Sequence, residues 1–282
     1  MKNSHRTQKV AFFFLLVATL LIVVPVGLIL VIIIQKGLPA INWQFLSDIP
    51  RQGMRAGGIF PAIVGTIYLV TGAIIFALPI GLLAAIYLSE YSKDNLLNRV
   101  IKLAIVNLAG VPSVVYGLFG LALFVVFFKF GASILSGSLT LGIMILPLVI
   151  TTSREALESV PQSFREVSLS LGASKWQTIR HIVLPNAVPG ILTGTILGLG
   201  RAAGETAPIL FTVAAFYLPQ LPGSIFDQAM ALPYHLYAIS TQVPNVGEKI
   251  RYGTAFVLLA LVLFMNLVAI IIRTKFRKKK KW

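Results

Sequence analysis

Long uninterrupted apolar runs dominate the chain. Ala11 to Ile34, Ala56 to Ser89, Leu103 to Phe128, Phe130 to Ser153 and Tyr252 to Ile272 carry no charge, and Ile182 to Phe226 carries only Arg201 and Glu205. A helical bilayer crossing takes about 20 apolar residues. The runs therefore predict six transmembrane helices, near 11–34, 61–88, 103–128, 134–153, 187–216 and 253–273. The strict alternation of a β-barrel strand is missing. The first run follows Lys2, Arg6 and Lys9, as a secretion signal would. It is too long for a signal core and no A-x-A site follows it, so it reads as a retained span.

Composition agrees. Of 282 residues, 57% are hydrophobic and 12% charged, against about 25% charged in a soluble domain. The mean hydropathy is +0.87. A disordered chain, a collagen-like chain and an ordinary cytosolic enzyme are excluded. With no cysteine, disulfides, thiolate nucleophiles, Cys-zinc sites and iron–sulfur clusters are excluded too. The fold class is an all-α polytopic integral membrane protein.

The net charge of +15 is mostly a topology signal. Lys2, Arg6, Lys9, Lys93, Arg99, Lys102, Arg154, Arg165, Lys175, Arg180 and the tail from Arg273 to Lys281 fall on one side of the predicted spans. Lys36, Arg51, Arg55, Lys129, Lys249 and Arg251 fall on the other. Basic residues mark the cytoplasmic side, so both termini are expected to be cytoplasmic. The run Lys278 to Lys281 suits anionic headgroups of membrane lipids. Nucleic acid is not an expected partner, because no aromatic-interleaved platform accompanies the charge.

The loop from Ser153 to Pro185 is far longer than the roughly 2–8 residues that join neighbouring helices. Ser159 and Ser163 are candidate N-caps, with Gln162 and Glu166 three residues on and Pro161 suited to a first turn. Gly172 suits a left-handed helix end. Ser174 and Gln177 form a second capping-box pattern. A short helix, Lys175 to Ile182, is expected to follow and to stop at Pro185. The loop should project as helix, Gly turn, helix.

Arg201 and Glu205 are the only charges inside a predicted span. Arg201 lies roughly 21 Å along its expected helix. A charge at that depth costs on the order of 3 kcal/mol and marks a protein interior or a water-filled path. The i, i+4 spacing puts both groups on one face. A guanidinium binds an oxyanion with two parallel hydrogen bonds. Glu205 either holds the Arg201 rotamer until an anion arrives, or selects a protonated oxyanion by accepting its O–H. The bland alternative is an intrahelical salt bridge that merely makes insertion tolerable, in the less favourable Arg-before-Glu order. Gly190, Gly194, Gly198 and Ala202 form a small-residue stripe for close packing; Gly204, beside Glu205, can expose backbone to a substrate. In span three, Gly110-Val-Pro112-Ser113 is followed by Tyr116. It reads either as a broken helix with Ser113 as cap, which suits an anion site, or as a simple Pro kink.

These residues carry a resemblance. Glu166-Val-Ser, three residues, Gly172, nine residues, Ile182-x-Leu184-Pro185 resembles the EAA loop of ABC importer permeases (E-A-A-x3-G-x9-I-x-L-P), with Val167-Ser168 in place of two alanines. In that family the loop is the coupling helix that docks on a separate ATPase. The resemblance implies docking through Glu166, Gly172, Ala173, Ser174, Trp176, Ile182, Leu184 and Pro185, with Trp176 as anchor. No G-x-x-x-x-G-K-[ST] occurs, so no phosphate-cradling loop for ATP is present. This chain is then a transport subunit rather than an enzyme. No cofactor is expected on it, and ATP and Mg belong to the partner ATPase.

Arg201-Ala-Ala-Gly204-Glu205-Thr206-Ala-Pro208 resembles the same segment of phosphate-specific permeases. So do Gly57-Gly58-Ile-Phe-Pro61, Tyr87-Leu-Ser-Glu90-Tyr91, Gly110-Val-Pro112-Ser113-Val-Val-Tyr116-Gly117 and Leu232-Pro233-Tyr-His-Leu-Tyr237. The match is closer to the A-type than to the C-type members. It implies a MetI-like type I importer architecture in a bacterial or archaeal cytoplasmic membrane. The implied partners are a C-type permease, two ATPase subunits and an extracytoplasmic phosphate-binding protein. Arg201, Gly204, Glu205, Thr206, Ser113 and Tyr116 are the expected substrate-path residues. The expected division is 1–56 (N-terminus, first span, outer loop), 57–273 (permease domain) and 274–282 (basic tail). The binding protein should dock on loops 35–56 and 217–252.

Other readings are a permease for sulfate, molybdate or phosphonate, since fold does not fix the ligand, and an ion-coupled secondary transporter, which needs no EAA-type spacing. An intramembrane enzyme lacks H-E-x-x-H and G-x-S-x-G, and His5, His181 and His235 are scattered. A passive scaffold leaves Arg201 and Glu205 unexplained.

Overall fold

The computed structural model describes residues 2–93 and 95–278. Lys279 to Lys281 of the basic tail, with the headgroup contact expected there, lie outside them. The described chain is almost wholly helical: α1 (Lys2–Gly37), α2 (Trp43–Ser47), α3 (Phe60–Ile86), α4 (Leu96–Ala109), α5 (Ser113–Gly120), α6 (Ile134–Glu158), α7 (Gln162–Ser170), α8 (Lys175–Thr178), α9 (Leu184–Gly204), α10 (Ala207–Thr212), α11 (Leu232–Thr241) and α12 (Glu248–Lys278). One small antiparallel hairpin, β1 (Pro50–Arg51) with β2 (Ala56–Gly57), decorates the loop after α2. Among the described residues, five helices are long and apolar enough to cross a bilayer, and six if the bent pair α4–α5 counts as one span.

Helix α6 is the hub, because small residues let its neighbours approach closely. It runs parallel to α3: a Cβ at Gly72 would meet Ser138, one at Gly142 would meet Phe76, and one at Gly81 would meet Val149. It runs antiparallel to α9. A Cβ at Gly190 would meet Ala156, one at Gly194 would collide with Thr152, and Gly198 faces Ile145 and Val149. The glycine stripe of α9 is therefore a packing seam. α12 closes the bundle against α9, with Gly200 on Asn266 and Arg273 Nη1 donating to Thr193 Oγ1 at 3.3 Å. α1 packs on the start of α12, where a Cβ at Gly37 would strike Tyr252 and Lys36 pairs with Glu248 at 3.4 Å.

Three expectations are corrected. Span three is not one helix over 103–128. The chain turns by 103° between α4 and α5, because the Gly110–Pro112 segment cannot continue a helix; α5 then runs on as a π-helical stretch over Leu121–Phe127. Span five does not occupy 187–216. It starts at Lys175 and runs unbroken to Gly204. The short helix that begins at Lys175 does not stop at Pro185, because a π turn over Ile179–Val183 precedes the proline. A π turn shifts the carbonyls that the pyrrolidine ring would strike and leaves its missing N–H without consequence.

Each end of the bundle has its own apolar cluster. At one end Ala85, Ile86, Ala156, Leu157, Val160, Ile179 and Val183 pack together. At the other, Phe45, Met54, Ile59, Met230, Leu232, Ile239 and Val257 do so. There the segments 38–59 and 213–247 are tied by Arg55 Nε donating to Pro244 O at 3.0 Å and Tyr217 Oη donating to Pro50 O at 3.1 Å.

His235, on α11, is only 2% exposed, and burial lowers its pKa from 6.5 to about 4. In the unfolded chain the imidazole takes up a proton near its ordinary value, so unfolding gains a proton between those two values. Stability is flat above pH 6.5 and falls as pH drops toward 4, by up to about 3 kcal/mol from this group. Thermal unfolding of the detergent-solubilised protein should show a Tm loss between pH 7.5 and 4.5 that shrinks in His235→Gln; equal losses in both proteins would refute the assignment.

Candidate functional site

Two places combine polar chemistry with positioning helices: the end of α9 and the α7–α8 hairpin.

Helix α9 ends at Gly204, less than two turns beyond Gly198, which faces Ile145 and Val149 in the middle of α6, and Ala202 and Ala203 lie in the central core. Arg201 is in its last turn and Glu205 is its C-cap, with extended backbone at φ −76° and ψ 138°. A cation is welcome beside the free carbonyls of a helix C-terminus. Arg201 Nε lies 3.6 Å from Glu205 Oε1, with the side chains 32% and 17% exposed. The pair is thus half-buried and reachable at mid-bundle. Gly204 is exposed, with nothing within 4 Å of where a Cβ would sit.

Thr206 caps α10 through its carbonyl, which accepts from Leu210 N at 3.0 Å. Helix α10 packs on α5 where Gly117 leaves room for Phe211 and Pro208. Tyr116 is buried and within electrostatic reach of Arg201. Its hydroxyl donates to Leu108 O at 2.8 Å, which braces the bend between α4 and α5. Ser113 does not cap α5: Pro112 holds the cap position and no side chain bonds there. Ser113 stands half-exposed in the first turn. The structure therefore brings Arg201, Glu205, Gly204, Thr206 and Tyr116 to one helix break beside another, with Ser113 at the rim of the second.

The sequence reading passed over Asn266. It sits in the uncharged stretch 252–272 of α12, its side chain faces Gly200, and its Oδ1 is buried with no partner. A lone amide in an apolar run was the available signal. Among the described residues no three or more His, Asp or Glu come together as a metal site.

In the hairpin, α7 ends at Ser170 and Gly172 takes φ +82°, the left-handed turn expected there. The capping box is present: Ser174 Oγ accepts from Gln177 N at 3.3 Å and Gln177 Oε1 accepts from Ser174 N at 2.7 Å. The caps expected at Ser159 and Ser163 are not used. Ser159 closes α6, Ser163 lies within α7, and Pro161 occupies the N-cap. Glu166 is exposed. Ala173 and Ile182 line an apolar groove with Val167 and Leu171, and Trp176, on α8, is 50% exposed. Leu184 packs into the cluster below, and Pro185 is exposed where π turn becomes α9.

Residues 77–282 match the family described as binding-protein-dependent transport system inner membrane component. A relative from Bacillus subtilis (strain 168), named probable ABC transporter permease protein YqgI, is 33% identical over 98% of each chain. A Mycobacterium tuberculosis protein named phosphate transport system permease protein PstA 1 is 35% identical over 96% of this chain and 88% of its own. In fold, the chain resembles an inward-facing MetNI methionine ABC transporter structure (TM-score 0.59, 16% identity, 78% of this chain and 94% of that one). It also resembles a bacterial ABC transporter for the import of the acidic polysaccharide alginate (TM-score 0.59, 14% identity, 94% and 96%).

Gly172→Pro should disrupt the hairpin, because proline fixes φ near −65° where the chain needs +82°. Co-purification of an ATPase subunit with the tagged chain should fall at least tenfold; retention at the wild-type level would contradict a docking role for this turn.

Proposed function

This chain belongs to the binding-protein-dependent transport inner-membrane family, and from that premise we propose that it carries inorganic phosphate across the cytoplasmic membrane as the permease subunit of an ATP-driven importer. The observation that carries the reading is the half-buried Arg201–Glu205 pair at the mid-bundle end of α9. Phosphate names among relatives that match nearly the whole chain support the ligand.

Arg201 would present its fork of N–H groups to two phosphate oxygens. Glu205, an acceptor when ionised, would take the O–H of a protonated phosphate. Sulfate has no proton to offer at neutral pH, so the same carboxylate would repel it. Gly204 would let the anion approach the backbone, Thr206 would offer a hydroxyl, and Ser113 and Tyr116 would border the path.

The charge pattern and the family support the remaining parts of the reading. The end carrying Lys93, Arg99, Lys102, Arg154, Arg165, Lys175 and Arg180 would face the cytoplasm, with both termini. The α7–α8 hairpin would dock on an ATPase through its apolar groove, with Trp176 as anchor and Glu166 at the rim. ATP and Mg would be held by that ATPase. The packed segments 38–59 and 213–247 would receive the binding protein. A homologous C-type permease would supply the second half of the path as a heterodimer on two ATPase subunits, and residues 57–273 would form the permease unit proper. Rocking of the halves would exchange access to Arg201.

The test is uptake of labelled phosphate at micromolar concentration by cells lacking this chain, complemented with wild type or Arg201→Gln at matched membrane levels, with sulfate as control. Wild type should restore phosphate uptake alone, and Arg201→Gln should lose at least tenfold while assembly survives. Failure of wild type to restore phosphate uptake overturns the substrate; wild-type uptake by Arg201→Gln overturns the site.

A further inference from the structure

Glu90 and Arg165 form the most enclosed ion pair described, with side chains 8% and 12% exposed and Arg165 Nη2 2.7 Å from Glu90 Oε1. Glu90 closes the π turn Tyr87–Tyr91 that finishes α3. Arg165 lies on α7, the first arm of the docking hairpin. Its guanidinium makes a full set of contacts. Nε donates to both Glu90 oxygens at 3.2 and 3.4 Å, Nη1 to Val160 O at 2.7 Å, and Nη2 to Leu157 O at 2.8 Å. One side chain thus ties α7 to the end of α3 and to the last carbonyls of α6. The second arm reaches the same π turn, where Lys175 Nζ stands 4.9 Å over the Tyr91 ring. A cavity of about 460 Å³ opens between the hairpin and these helix ends, lined by Ser89, Glu90, Glu158, Arg165 and Lys175.

We propose that the Glu90–Arg165 pair is a positioning strut that makes the docking hairpin and the ends of α3 and α6 move as one body. The inference rests on the importer reading above. The second arm is covalently continuous with α9 through the π turn, so a push at the hairpin reaches Arg201 along one helix in any case. Without the strut, α3 and α6 would be driven only through their packing on α9 and not from the hairpin itself. A planar fork engaging three acceptors resists rotation, which a single ammonium contact does not. Burial keeps the pair from being screened by salt.

The test uses the assembled transporter with Glu90→Gln, Arg165→Gln and the double variant. It measures labelled phosphate uptake, retention of the ATPase on purification, and stimulation of ATP turnover by the phosphate-loaded binding protein. Each single variant should lose at least tenfold in uptake and lose the stimulation, while the ATPase stays bound. The double variant should be no worse than either single, because the two groups act as a unit. Uptake within twofold of wild type in either single, or losses that multiply in the double, would overturn the strut. If the neutral variants do not accumulate in the membrane, Arg165→Lys decides. It keeps the charge and loses the fork, so uptake should fall several-fold with the ATPase retained; full uptake and full stimulation would overturn the proposal. A wild-type transporter that carries no phosphate defeats the importer reading instead, and the variants separate the two failures.

Discussion

A helix that stops inside an apolar bundle leaves carbonyls that must find other partners, and α9 stops at Gly204, less than two turns beyond the level of the middle of α6. The rest of the centre follows from that constraint. A guanidinium in the last turn answers the negative end of the helix. Glu205 turns the backbone out and balances the charge. The chain then re-enters a short helix, α10, whose apolar side packs on α5. Because α5 itself begins at a 103° bend and packs on α10, two helix breaks lie side by side. Polar groups, free backbone and open space at Gly204 meet there.

The second constraint is mechanical. The π turn before Pro185 lets the docking helix and α9 be one rod of 30 residues, Lys175–Gly204. What happens at Trp176 is therefore linked to Arg201 by unbroken backbone. The small residues along the α6 seams keep that rod close to its neighbours, so displacement is shared rather than absorbed. Trp176 and Arg201 stand near the two ends of one continuous helix.

Much of this was legible in the residues. Arg201 and Glu205 stand out because charges are rare in a span, and Gly172 with Ser174 and Gln177 spelled out a turn and a capped helix that the structure contains. What was hidden is tertiary. Pro185 reads as a stop, and only the carbonyl shift of a π turn lets the helix pass it. The run to Phe226 stays apolar beyond Gly204, so hydropathy gave no sign that α9 ends there; the extended backbone at Glu205 does. Gly110-Val-Pro112 admitted a kink or a break, and packing of α5 against α10 selects the break. Glu90 and Arg165 are distant in sequence and look like ordinary surface charges until α3 and α7 are brought together. Asn266 matters only because Gly200 admits it.

On this reading the end of α9 lines a water-filled path that phosphate occupies. The chain has no cysteine, so Gly204→Cys places a single thiol at that point without crowding. The decisive measurement is the rate at which a charged, membrane-impermeant thiol reagent labels it in the assembled transporter. Labelling should proceed and be slowed at least severalfold by the phosphate-loaded binding protein with ATP, but not by sulfate. A thiol that charged reagents never reach, or whose labelling ignores phosphate, would contradict the account.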